Sequence, residues 1–170
     1  MMREDRGGAD DALAAKIWMA LGEILDPELP VVSIVELGIV RDVACGRDEC
    51  VVTLTPTYSG CPATQVIEDD VRAAVSRVTD RVVRIETTLA PTWTSDWIAP
   101  EARDKLAAAG IAPPGQAHAA SSMMTLREAI RCPHCGSLAT DELARFGSTA
   151  CKAQYRCRDC REPFDYFKPH

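Results

Sequence analysis

Four cysteines in two pairs, Cys132-Pro133-His134-Cys135 and Cys157-Arg158-Asp159-Cys160, constrain this chain more than any other feature. Two intervening residues let both thiolates of a pair point at one ion, and two such pairs complete a tetrahedron at about 2.3 Å per metal–sulfur bond. The 21 residues between the pairs are marginally more than the usual spacing of a paired-knuckle zinc site. Zinc is expected at Cys132, Cys135, Cys157 and Cys160, with a rubredoxin-like iron as the competitor, because four sulfurs suit either metal. A closed four-thiolate site has no open position, so it folds its module and does no Lewis-acid chemistry.

The apolar content of the tail argues the same way. Residues 132–170 hold all three phenylalanines, Phe146, Phe164 and Phe167, with Tyr155 and Tyr166. That is too little to fold about 40 residues without a staple. Metal-binding energy on the order of 10 kcal/mol would here be folding energy. His134 is expected near the site or exposed rather than ligating, and Cys151 as a packed small hydrophobe rather than a spare ligand. The aromatic residues of Phe164-Asp165-Tyr166-Phe167 are expected in the ribbon's core.

The cysteines also mark a boundary. Five of the eight lie in the last 39 residues, while Cys45, Cys50 and Cys61 are scattered before them. The start MMREDRGGADD has no apolar core, and no apolar run approaches the length of a span, so neither a signal peptide nor a membrane segment is expected. The expected location is the cytosol, where thiols are kept reduced and clustered cysteines suit metal or redox roles better than disulfides. The net charge of -6 divides into -7 for residues 1–131 (13 Lys/Arg, 20 Asp/Glu) and +1 for residues 132–170 (6 against 5). Neither half concentrates the basic surface that nucleic-acid binding requires.

Periodicity supplies the elements. Residues 1–9 are expected to be disordered. Asp10 or Asp11 can cap a helix whose face is Leu13, Ile17, Leu21, Ile24 and Leu25, ended by Asp26-Pro27. Ser33 and Glu36 have capping-box spacing, and Gly38 can take the left-handed stop, so Ser33 to Gly38 predicts one short helical turn. Ile39 to Ala44 and Val51 to Thr55 predict a hairpin across Cys45 to Glu49, where Cys45 and Cys50 flank the turn with no chemistry assigned. Pro62 opens a predicted helix with Ile67, Val71, Ala74, Val75 and Val78 on its buried face, and Arg81 to Leu89 alternates as a strand. Pro100 to Ala109 predicts a further helix closed by Gly110, and residues 111–126 a linker. The expected fold class is α/β (α+β): a small mixed sheet with helices on one side, in a domain over residues 10–110, followed by a zinc ribbon over 127–170.

Cys61, in Tyr58-Ser59-Gly60-Cys61-Pro62, is the second chemical candidate. If the helix begins at Pro62, Cys61 is its N-cap, where free N–H groups and the dipole lower a thiol's pKa. The alternative is a cysteine packed under the helix start. Asp26 and Glu28 have a matching ambiguity between a solvated cap and a carboxylate site for iron near that thiolate.

Together, Asp26-Pro27-Glu28, the stretch SIVELGIV from Ser33 to Val40, Thr55-Pro56-Thr57, Cys61-Pro62 and Trp93-Thr94-Ser95-Asp96-Trp97 resemble the SufT-like domain of cytosolic iron-sulfur assembly factors. With the ribbon ending CKAQYRCRDCREPFDYFKPH, the chain resembles the PaaD (PaaJ) family encoded with the bacterial ring-1,2-phenylacetyl-CoA epoxidase. The resemblance implies an accessory component of phenylacetate catabolism with no catalytic residue of its own. Its partners would be other epoxidase subunits or their reductase, with neither nucleic acid nor membrane. It maps the assembly-linked cysteine onto Cys61 and the Asp-Pro-Glu signature onto Asp26 and Glu28, for transient iron or cluster transfer; a homodimer could bridge a cluster between two such cysteines. The sequence carries no ExxH pairs of the diiron kind, no Gly-rich dinucleotide loop and no plant-type ferredoxin spacing. A non-catalytic structural subunit is the other reading, and a thiol–disulfide enzyme at Cys61 a third, opposed by the absence of a CxxC there.

Overall fold

The computed structural model describes residues 5–58, 60, 62–115 and 130–169, with side chains from Asp10 onward. The chain divides into two compact units, Met1–Trp93 and Thr94–His170.

In the first unit, helix α1 (Asp5–Leu21) buries Ile17 and Leu21 completely. It begins before Asp10 and Asp11, so neither caps it; Asp10 instead pairs with Arg81 at 2.7 Å. It also stops before the expected Asp26-Pro27. Gly22 is costly inside a helix, and Leu25 forms a β-bridge with Ser33 that leaves its own side chain exposed. The following turn bears the predicted capping box. Glu36 N–H donates to Ser33 Oγ at 3.1 Å, Ser33 N–H donates to Glu36 Oε2 at 2.9 Å, and Gly38 has φ 70°.

Strands β1 (Val40–Cys45) and β2 (Glu49–Leu54) form the antiparallel hairpin. Helix α2 (Thr64–Val78) then carries the chain to β3 (Val82–Thr87), which pairs with β2 in parallel, giving the order β1-β2-β3. In β2 the buried residues alternate, Cys50, Val52 and Leu54, because the helices cover one sheet face. Ile67, Val71, Ala74 and Val75 of α2 fill that side, and Val78 is half-buried. Trp93, 2% exposed, closes the core and donates its indole N–H to Leu37 O at 2.9 Å.

Two features depart from expectation here. Helix α2 opens at Thr64 with Ala63 as N-cap, so Cys61 precedes the cap by two residues instead of being it. Cys45 and Cys50, to which no chemistry was assigned, are joined as a disulfide. The antiparallel register sets them directly opposite, with Cα atoms 4.2 Å apart.

The second unit begins with a 3-10 turn (Ser95–Trp97) and helix α3 (Pro100–Ala108), closed by Gly110 at φ 79°. Ile111–Ala112 is a strand, β4, where a linker was expected; it pairs in parallel with β7. Helix α3 leads directly into that strand within the unit Thr94–His170. The ribbon continues with β5 (Thr140–Ala144), β6 (Lys152–Cys157) and β7 (Pro163–Phe167), in the order β4-β7-β6-β5. Its core holds Phe164, Tyr166 and Phe167 as expected, whereas Phe146 is 63% exposed beneath the Lys168 ammonium. Among the described residues no helix is long and apolar enough to cross a membrane.

Candidate functional site

The ribbon cysteines sit on two copies of one turn. Cys132 N–H donates to Ser137 O at 2.8 Å, and Cys157 N–H donates to Glu162 O at 3.0 Å, so each turn spans five residues from its first cysteine. The residue after each second cysteine has a left-handed backbone: Gly136 at φ 77° and Arg161 at φ 65°. This repeat brings the four sulfurs together, all within 4.8 Å of one another. Cys132 and Cys160 Sγ lie 3.7 Å apart, Cys135 and Cys157 Sγ 3.5 Å. Four sulfurs about 2.3 Å from a central ion would have tetrahedral edges of about 3.8 Å, so the donor set fits one tetrahedral metal ion.

The thiols share their charge unequally. The Cys160 N–H favours the Cys157 thiolate and outweighs burial; with help from the Asp159 N–H it brings that thiol down to about 6. At Cys160 the Glu162 N–H favours the thiolate, but burial and the Cys157, Cys135 and Cys132 sulfurs prevail and push it up to about 12. Cys135 receives the Ser137 N–H, yet the Cys157 sulfur and burial leave it above the ordinary thiol value. One thiolate forms readily and disfavours the next, which is the condition a bound cation relieves.

Cys151 is buried with Thr149 Oγ1 3.1 Å from its sulfur and lies outside the four-sulfur group. His134 is exposed, edge-on to Phe164, and also outside that group.

In the first unit, Asp26 is 6% exposed, and its Oδ1 accepts the N–H groups of Glu28 and Leu29, each at 2.9 Å. This carboxylate lines a pocket with Thr57, Thr64 and Thr87, whose apolar wall is Ile39, Leu54, Pro56 and Ile67. Thr57 and Thr64 bracket the loop that carries Cys61; Cys61 itself lies outside the described residues. Glu28 is half-buried and does not line the pocket. Thr55, between the pocket residues Leu54 and Pro56, is 1% exposed, and its hydroxyl has no hydrogen-bond partner among the described residues. The pocket threonines escaped sequence reasoning, because three residues from separate elements share no local spacing. The Cys45–Cys50 pair was within reach, since the cysteines sit symmetrically about a glycine-containing turn.

Residues 116–168 match the PaaD zinc beta ribbon domain, and residues 14–87 match the iron-sulfur cluster assembly protein family. A protein of Escherichia coli (strain K12), named as a subunit of 1,2-phenylacetyl-CoA epoxidase, is 47% identical over 153 residues, covering 90% of this chain and 91% of that one. The chain belongs to the PaaD family.

Other relatives match a shorter share of the chain. The Fe-S protein maturation auxiliary factor YitW of Bacillus subtilis (strain 168) is 36% identical over 89 residues, 51% of this chain and 86% of that protein. The crystal structure of a domain of unknown function, DUF59, from Bacillus anthracis superposes with a TM-score of 0.55 at 29% identity, covering 59% of this chain and 96% of that one. The chain therefore has the expected α+β class, with a cysteine-rich ribbon added.

Proposed function

We propose that this chain is a non-catalytic accessory component of a phenylacetyl-CoA epoxidase, acting in the cytoplasm to help mature or assemble the enzyme's iron or iron-sulfur centres through Cys61. The observation that carries this reading is the pocket holding Asp26 beside Thr57 and Thr64, the residues that bracket the Cys61 loop. The Asp26 carboxylate would offer a hard donor and the Cys61 thiolate a soft one to iron in transit, which is cargo here. Glu28 stays with the proposal as the neighbour whose N–H orients the Asp26 carboxylate. Cys132, Cys135, Cys157 and Cys160 would hold zinc, and zinc there supplies folding energy. The ribbon would dock other epoxidase subunits or their reductase.

The test is iron, zinc and acid-labile sulfide per chain, on protein purified without oxygen, for wild type beside Cys61→Ser. Zinc should be equal in both, with iron or sulfide only in the wild type. Equal iron and sulfide in the two proteins, with unchanged metal loading of the epoxidase in cells, would remove the carrier role.

A stably bound structural subunit with Cys61 merely packed is the second reading, favoured by the relative's name as a subunit. Co-purification at fixed stoichiometry with metal loading indifferent to Cys61 would select it. A homodimer sharing one cluster would double the measured mass on cluster binding.

A further inference from the structure

We propose that Cys45 and Cys50 form a reversible thiol–disulfide couple, a redox-sensitive modification site separate from the Asp26 pocket and from the metal-ligating cysteines. The two residues are the last pair of the β1–β2 register before the turn, with Cα atoms 4.2 Å apart. Cys45 is half-buried on the edge strand β1, while Cys50, on the central strand, is 0% exposed. The Cys45 sulfur is therefore the one a dissolved reagent reaches, and Cys50 is the resolving or leaving thiol.

The hairpin does not depend on the bond. Gly46 N–H donates to Glu49 O at 2.8 Å inside the loop the disulfide closes, and further pairs from Ala44↔Val51 to Val40↔Leu54 continue the ladder. The turn is also tied down from outside. Arg81 donates to Gly46 O and pairs with Asp10, and Val82 N–H donates to Asp48 O at 2.9 Å. A bond closing so short a loop removes little chain entropy, so it contributes little to folding. The frame that holds the two thiols opposite each other persists when the bond opens, and re-formation is favoured by that proximity.

The oxidant and reductant are a low-molecular-weight disulfide, RSSR, and its thiol. For oxidation, the Cys45 thiolate attacks RSSR, forming a mixed disulfide and releasing RS⁻. The Cys50 thiolate then attacks the Cys45 sulfur, forming the Cys45–Cys50 bond and releasing a second RS⁻. The two cysteine protons pass to the two RS⁻, two electrons move from the pair to RSSR, and reduction runs the same steps backwards.

The test equilibrates the full-length, metal-loaded chain in glutathione buffers from fully reduced to fully oxidised, followed by acid quenching, alkylation and mass analysis of the peptides containing Cys45 and Cys50. Repeating it in Cys61→Ser removes the other nearby thiol in sequence from the count. The pair should pass from mostly dithiol to mostly disulfide across the series, return on reversal, and leave the far-ultraviolet circular dichroism unchanged. A bond that persists in fully reduced glutathione, one that never forms in oxidised glutathione, or reduction that unfolds the chain would each overturn the proposal.

Discussion

Arg161 occupies in the second cysteine turn the place that Gly136 occupies in the first, one residue past the second cysteine, with φ 65° against 77°. The equivalence explains how two unlike segments present their sulfurs alike. A Cβ in this left-handed region costs roughly 1–2 kcal/mol. Glycine meets the requirement without that cost, and arginine meets it because the Cys157 N–H to Glu162 O bond and the neighbouring strands leave no alternative path.

Arg161→Gly should therefore stabilise the metal-loaded ribbon by about 1 kcal/mol, and Gly136→Ala should destabilise it by a similar amount. Guanidinium unfolding of the two variants beside wild type checks both signs. A neutral Arg161→Gly would mean that its side chain contributes as much as its backbone costs.

Metal binding to the ribbon should expel protons. With Cys157 near 6 but Cys160 near 12 and Cys135 also raised, the metal-free site at about pH 7.5 keeps protons that a bound ion must displace. More than one proton per ion should appear as buffer-dependent heat in calorimetry. Because protons compete for the same thiolates, affinity should fall as pH is lowered; heats that are identical in buffers of different ionisation enthalpy would refute this.

Asp26 separates a structural from a ligand role. Asp26→Asn keeps an oxygen to accept the Glu28 and Leu29 N–H groups, so thermal stability should change little. If the carboxylate serves iron, iron retention should drop several-fold in the same variant. Asp26→Ala, by contrast, strands the Glu28 N–H, while the Leu29 N–H keeps Asp26 O at 3.2 Å, and should cost about 1–3 kcal/mol.

The capping box between Ser33 and Glu36 should contribute about 1 kcal/mol, measured as the loss in Ser33→Ala. The double variant Ser33→Ala/Glu36→Ala should lose less than the sum of its singles, since the two hydrogen bonds are reciprocal.

Trp93→Phe should cost about 1–2 kcal/mol, because it removes the indole N–H and leaves Leu37 O buried. Denaturant unfolding followed by circular dichroism measures it without relying on tryptophan emission.

Much of this was legible locally. The two CxxC pairs that cluster in the ribbon, the Ser33–Glu36 box, the α2 face Ile67, Val71, Ala74 and Val75, and the Gly38 and Gly110 stops all come from spacings of a few residues. Such signals survive because covalent reach and backbone periodicity constrain near neighbours whatever the rest of the chain does. Boundaries were less secure: α1 gave way at Gly22 because the Leu25 bridge to Ser33 competes with another helical turn, and α2 began two residues past Pro62.

Composition and spacing alone determined that the tail is a four-cysteine module attached to an α+β domain. Only the tertiary structure decided that Ile111–Ala112 joins β7 and that Asp26 shares a pocket with the residues bracketing the Cys61 loop. These juxtapositions join residues whose proximity depends on strand pairing, register and the packing of α1 and α2. Their free energy belongs to the whole fold, so no short stretch of sequence encodes them.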